Sequence, residues 1–180
     1  MDASTTLHRV RCVRGFLSAI LIEDIAVADV AGTLSIRVFV MRYSASDNHV
    51  SLDGTTIRLA DFRGKLVLLN FWATWCPPCR EEMPSMQRLH QRFKDQGLVL
   101  LAINIEEDGA KTVPPFVAQH HYSFPVLLDT GAKAQNLYQV FRFPETYIVD
   151  RNGVVVDKII GGRNWLSGPL IQRLNFLLNG

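Results

Sequence analysis

Cys76 and Cys79 stand in the stretch Asn70-Phe71-Trp72-Ala73-Thr74-Trp75-Cys76-Pro77-Pro78-Cys79-Arg80, separated by two prolines. Thiols at this spacing exchange disulfides, ligate zinc or bind haem covalently. A structural zinc site needs four ligands, and the only other cysteine is Cys12, with no second C-x-x-C and no H-x-x-x-H in the chain. Haem attachment needs histidine after the second cysteine, where Arg80 stands. The spacing and its setting favour a redox couple over two structural thiols.

The neighbouring elements have to place that pair. Upstream, Lys65-Leu66-Val67-Leu68-Leu69-Asn70-Phe71 is a nearly continuous apolar run, the pattern of a strand covered on both faces. Downstream, Met83, Met86, Leu89 or His90, and Phe93 recur at helical spacing, with Glu81 and Glu82 in the first turn, where the helix dipole favours carboxylates. Cys76 is thereby expected at a helix N-terminus, where a thiol pKa of about 8.5 falls toward neutrality. A thiolate there attacks, or is attacked as, a disulfide sulfur, and a second thiol three residues on resolves the mixed disulfide.

Composition limits the alternatives. The 180 residues carry 19 Lys+Arg against 17 Asp+Glu, a net charge of +2, too small to argue for nucleic acid. Three cysteines do not make a disulfide framework. Two readings fit residues 1–44, the N-terminal extension. One is a degenerate export signal, with basic His8–Arg14, apolar Gly15–Ile22 and a small-residue site at Ala26-Val27-Ala28. The other, favoured because Glu23 and Asp24 follow the apolar run at once, is an amphipathic helix followed by a strand from Thr33 to Tyr43. Cys12 is read as a bystander in either case.

Past residue 45 the chain reads as a hairpin turning at Asp53-Gly54 and then β-α-β-α-β-α-β-β-α. Leu98–Ile105 is a second buried strand, Lys111–His121 a helix opened by Thr112, Pro114 and Pro115, and Arg151-Asn152-Gly153 the turn of an antiparallel pair. Trp165–Leu178 is a closing helix. His120 and His121 are adjacent, point to different helix faces and are read as a solvated helix end rather than metal ligands.

The segment N-F-W-A-T-W-C-P-P-C-R-E-E-M-P resembles the active site of the thioredoxin superfamily, specifically the TlpA/ResA/CcmG (DsbE)-like branch of bacterial thiol:disulfide oxidoreductases. Ser44–Asp47 through Leu59–Lys65 resembles that branch's opening hairpin, and Phe143-Pro144-Glu145-Thr146-Tyr147-Ile148-Val149-Asp150 its cis-proline strand. The resemblance implies an α/β thioredoxin-like domain over residues 45–180, a central mixed sheet flanked by helices, with an N-terminal β-hairpin and a central βα insertion. It implies Cys76 as attacking and Cys79 as resolving thiol, a cis Phe143–Pro144 bond, and partner contact through Trp75, Pro77, Phe143 and Pro144. The implied partners are protein dithiols or disulfides and an upstream thiol electron donor, with no cofactor and no stable metal, in a monomer. The implied place is the periplasmic side of the membrane, as in relatives serving cytochrome c biogenesis, with the cytoplasm as alternative.

Thioredoxins proper carry aspartate where this chain has Asn70, and an amide cannot take a proton. Glu145, beside Pro144, is expected to act as the proton acceptor, with Glu106 or Glu107 behind it. Arg80 and Glu82 are read as solvated. Two other functions are set against this one. A peroxiredoxin-like peroxidase needs threonine three residues before the attacking cysteine, where Ala73 stands; a copper-delivery module is expected to use C-x-x-x-C.

Overall fold

The computed structural model describes residues 20–27, 36–43 and 48–179. The first two segments are β1 (Ile20–Val27) and β2 (Ile36–Tyr43), paired antiparallel as a separate two-stranded sheet from Ile20↔Tyr43 to Val27↔Ile36. The expected strand at 33–43 is present in its greater part. Over Ile20–Val27 the helix reading is corrected: Ile20, Ile22, Ile25 and Val27 are β-branched, and such side chains suit a pleated surface better than a helix. Cys12, the basic lead, Ala28 of the small-residue site and Ser44–Asp47 lie outside the described residues.

The remaining strands form one mixed sheet. In chain order they are β3 (Asn48–Ser51), β4 (Thr56–Arg58), β5 (Leu66–Trp72), β6 (Leu98–Asn104), β7 (Val126–Leu128), β8 (Glu145–Val149) and β9 (Val155–Ile160). Their spatial order is β4-β3-β7-β6-β5-β8-β9. The pairs β5–β6 and β6–β7 are parallel, and β5–β8 and β8–β9 antiparallel. Helices α1 (Pro77–Phe93), α2 (Gly109–His120), α3 (Lys133–Leu137) and α4 (Gly168–Asn179) connect and close the sheet. This is the thioredoxin-like α/β arrangement in the predicted order of elements.

β5 is buried along its whole length, and its alternating side chains divide the core in two. Leu66, Leu68 and Trp72 meet Met83, Met86, Leu89 and Phe93 of α1 and Leu174 and Leu178 of α4. Val67, Leu69 and Phe71 meet Ala134 of α3 with Tyr138 and Tyr147 on the other face. A strand buried on both faces is a rigid base for whatever its C-terminal end carries, and here that end carries the C-x-x-C.

Two boundaries differ from expectation. α2 begins at Gly109, with Pro114 and Pro115 inside it rather than opening it. Its first turn is already made by Lys111 and Thr112 donating to the Asp108 carbonyl, at 2.8 and 3.3 Å. The last helix starts at Gly168 rather than Trp165; Trp165 is buried in the segment before it. His120 and His121 are exposed at the end of α2 as expected.

Candidate active site

Cys76 is the N-cap of α1, with extended backbone (φ −90°, ψ 106°) and Pro77 and Pro78 as the first helical residues. Proline suits that place because its φ is preset and the N–H it lacks would have no helical partner. Cys76 and Cys79 form a disulfide. Cys79 N–H donates to Cys76 Sγ at 3.3 Å, the N-cap interaction that satisfies an orphan donor. Cys76 is 3% exposed and Cys79 fully buried, so of the two only Cys76 keeps any contact with solvent.

Two loops complete the rim. The Phe143–Pro144 bond is cis, as the resemblance implied, and Trp75, 61% exposed, packs edge-on against Phe143 at 6.2 Å between centroids. The loop after β9 is tied in from the other side: Gly161 N–H donates to the Pro144 carbonyl at 2.8 Å. Gly162 lies so close that a Cβ there would stand 2.8 Å from the Pro78 carbonyl oxygen.

On the buried face of α1 that carries Cys79 lies a carboxylate that the sequence reading placed in solvent. Glu82, one turn beyond Cys79, is 3% exposed. Its Oε1 accepts from Asn70 Nδ2 at 2.8 Å, and its Oε2 from Arg163 N–H at 3.1 Å and Trp165 Nε1 at 3.0 Å. Burial pushes its carboxyl up from 4.5 to about 6, against the pull of those three donors. A carboxylate so placed exchanges a proton near neutrality. The signal that reveals it is helical spacing: Cys79, Glu82, Met83 and Met86 share one α1 stripe, and all four are buried.

Asn70 also donates to Thr146 Oγ1 at 2.9 Å, across the β5–β8 pair in which Asn70 and Thr146 are register partners. Glu145 is the partner of Phe71. Since register partners in antiparallel strands share a face, Glu145 points with Phe71 to the side of the sheet away from α1. There it accepts from Arg142 N–H at 3.2 Å and pairs with Lys158 Nζ at 2.8 Å. The expectation that Glu145 serves Cys79 is corrected on this geometry: the sheet lies between them.

Glu106 has a different place. It is buried and accepts from Thr74 N–H and Thr74 Oγ1, both at 2.8 Å, and from Asn104 Nδ2 at 2.6 Å. It pins the turn before Cys76 to the end of β6. Glu107 and Arg80 are exposed.

Residues 41–158 match the AhpC/TSA family. The chain belongs to the AhpC/TSA family. Among the relatives of this family member, a thiol-disulfide oxidoreductase ResA of Bacillus cereus is 43% identical over 110 residues, 61% of this chain and 63% of that protein. ResA of Geobacillus kaustophilus is 42% identical over the same share of each chain. The chain thus spans less than two thirds of the length of these curated relatives. Among solved structures, a DsbE-like thiol:disulfide interchange protein of Chlorobium tepidum is 30% identical, with a TM-score of 0.67 over 73% of this chain and 92% of that one.

Proposed function

We propose that this protein is a thiol:disulfide oxidoreductase that reduces disulfides of protein partners through the Cys76–Cys79 couple. The observation that carries the reading is the disulfide itself, capped onto the start of α1, with Cys76 barely exposed, Cys79 fully buried, and a buried carboxylate one helical turn on, whose pKa is raised to about 6.

In the dithiol form the Cys76 thiolate attacks one sulfur of a partner disulfide; an enzyme–partner S–S bond forms as the partner's own S–S bond breaks, and its second sulfur leaves as a thiolate and takes a proton. Glu82 then takes the Cys79 proton, and the Cys79 thiolate attacks Cys76 Sγ. The partner's first sulfur leaves, and the enzyme holds the Cys76–Cys79 disulfide. Two electrons have passed to the partner, and an upstream dithiol returns two to the enzyme. Trp75, Pro77, Phe143 and Pro144 form the rim against which the partner lies, and the Phe143 backbone pairs with an extended partner segment as an added strand.

We place this chemistry on the periplasmic side of the membrane, by likeness to the branch named above. No helix among the described residues is long and apolar enough to cross a membrane.

The deciding experiment is turnover of a disulfide-bridged peptide with dithiothreitol as donor, alongside hydrogen peroxide as competing substrate. Peptide reduction that is lost in Cys76→Ser, with slow peroxide consumption, supports the reading. Fast peroxide consumption and no peptide reduction would replace it with a peroxidase, the other chemistry weighed for this motif.

A further inference from the structure

We propose that Glu145 is a positioning residue: with Lys158 it braces, from the sheet face opposite the disulfide, the Arg142–Pro144 backbone against which a polypeptide partner pairs. The inference rests on the reading of Phe143 as that pairing backbone.

Glu145 is a carboxylate 2% exposed, and the thiol chemistry above does not use it. It is the first residue of β8, directly after the cis peptide. One oxygen reaches back to hold Arg142 N–H, and the other meets Lys158 Nζ. Lys158, on β9, is the register partner of Tyr147, and its Nζ lies 4.9 Å from the centre of that ring. The Tyr147 hydroxyl in turn donates to the Tyr138 carbonyl.

The chain from Tyr138 to Glu145 is therefore held at two points from β8, at the Tyr138 carbonyl and at the Arg142 N–H. Between and beside those points it presents Phe141, 81% exposed, and Phe143, packed on Trp75. No helix or strand orders residues 138–144; backbone hydrogen bonds tie Tyr138, Gln139 and Val140 back to residues 134–136 and the Pro144 carbonyl to Gly161 N–H, and between those ends the Glu145 carboxylate holds Arg142 N–H. An ion pair suits the task because a buried carboxylate that loses its cation is left uncompensated and relaxes by moving. Its movement carries Arg142 with it, and Phe143 is the next residue.

A partner that pairs along the Phe143 backbone depends on this path, whereas a small disulfide that reaches Cys76 alone does not. The test is steady-state reduction by the full chain of two substrates, a disulfide-bridged peptide and hydroxyethyl disulfide. Glu145→Gln is expected to raise KM for the peptide about tenfold, since small misplacements of a positioning group are costly, and to leave peptide kcat and turnover of the small disulfide within about twofold. The pH profile of Cys79 alkylation stays as in the parent protein. Lys158→Met, at a side chain one-third exposed, gives the same split. The double variant is no worse than either single one, as expected for two groups acting as one unit.

An unchanged peptide KM in Lys158→Met overturns the proposal even if Glu145→Gln fails to fold. A shifted pH profile of Cys79 in Glu145→Gln overturns it in favour of a proton-transfer role. If the parent protein reduces neither substrate, the oxidoreductase reading fails rather than the brace.

Discussion

Glu82 concentrates the acid–base chemistry of the site in one side chain. Its carboxyl sits at about 6 because desolvation outweighs three hydrogen bonds from Trp165, Arg163 and Asn70. A folded-state pKa above the unfolded value of 4.5 means that the folded protein binds more protons than the unfolded chain between those values. The stability contributed by protonated Glu82 is fully present below about pH 4.5 and is lost as pH rises through about 6. At neutral pH the ionised group costs about 2 kcal/mol, taking about 1.36 kcal/mol per pH unit. Glu82→Gln is expected to remove this slope and to raise stability at pH 7 by about 1–2 kcal/mol. Asn70 makes the amide tolerable: with its own amide flipped, its Oδ1 would accept from the new side chain and from the Thr146 hydroxyl in place of the two bonds its Nδ2 now donates. The same variant is expected to slow resolution of the mixed disulfide, which then accumulates when a disulfide peptide is added to the dithiol protein. Urea midpoints across pH and trapping of the mixed disulfide by mass spectrometry check the two halves. Faster resolution with an unchanged pH slope would remove Glu82 from the mechanism.

At the scale of elements, the site is a junction of three backbone segments, and the loop after β9 packs against the C-x-x-C with no room for a side chain at Gly162. A methyl group at Gly162 would meet the Pro78 carbonyl at 2.8 Å and the Pro78 Cβ at 3.4 Å. Neither group swings aside, because proline at the start of α1 fixes its own backbone. Gly162→Ala is expected to cost about 1–3 kcal/mol, the range for overpacking, and to disturb Cys76 reactivity, while an alanine at the open Gly54 position costs its strain alone. Chemical denaturation with parallel thiol alkylation separates these effects. Contacts of this kind explain which features were legible in the sequence. β5 and β6 are readable because strands buried on both faces are continuous apolar runs, and the β8–β9 pair because Asn152-Gly153 marks its turn. The redox pair is readable from its spacing together with the buried strand before it and the helix start after it. Glu82 is not, because its burial depends on Arg163 and Trp165, 81 and 83 residues away, and a carboxylate near a helix start otherwise reads as a solvated partner of the helix dipole. The role first expected of Glu145 fails for a similar reason. Proximity to Pro144 is visible in the chain, but the β5–β8 register decides which face the side chain takes.

For the whole molecule, the direction of electron flow depends on whether the fold favours the dithiol or the disulfide. A thiolate at a helix start is stabilised by the N–H groups of the second and third helical residues. Here the second is Pro78, which has no N–H, so Cys79 N–H is the donor that reaches Cys76 Sγ. Cys79 is fully buried on the stripe that holds Glu82, a setting in which a second negative charge is disfavoured. Both effects raise the free energy of the ionised dithiol and so favour a reductant. The couple is therefore expected near the thioredoxin end of the scale, at roughly −270 mV rather than roughly −120 mV. Equilibration with glutathione, counting free thiols with Cys12→Ser as control, measures it. Pro78→Ala restores the missing donor while keeping the carbonyl against which Gly162 packs. A charge-assisted hydrogen bond of about 1.5 kcal/mol then makes the couple more oxidising by about 30 mV and lowers the Cys76 pKa. If Pro78→Ala leaves both unchanged, the prolines do not set the potential, and a parent value near the oxidising end would reverse the direction proposed for the protein.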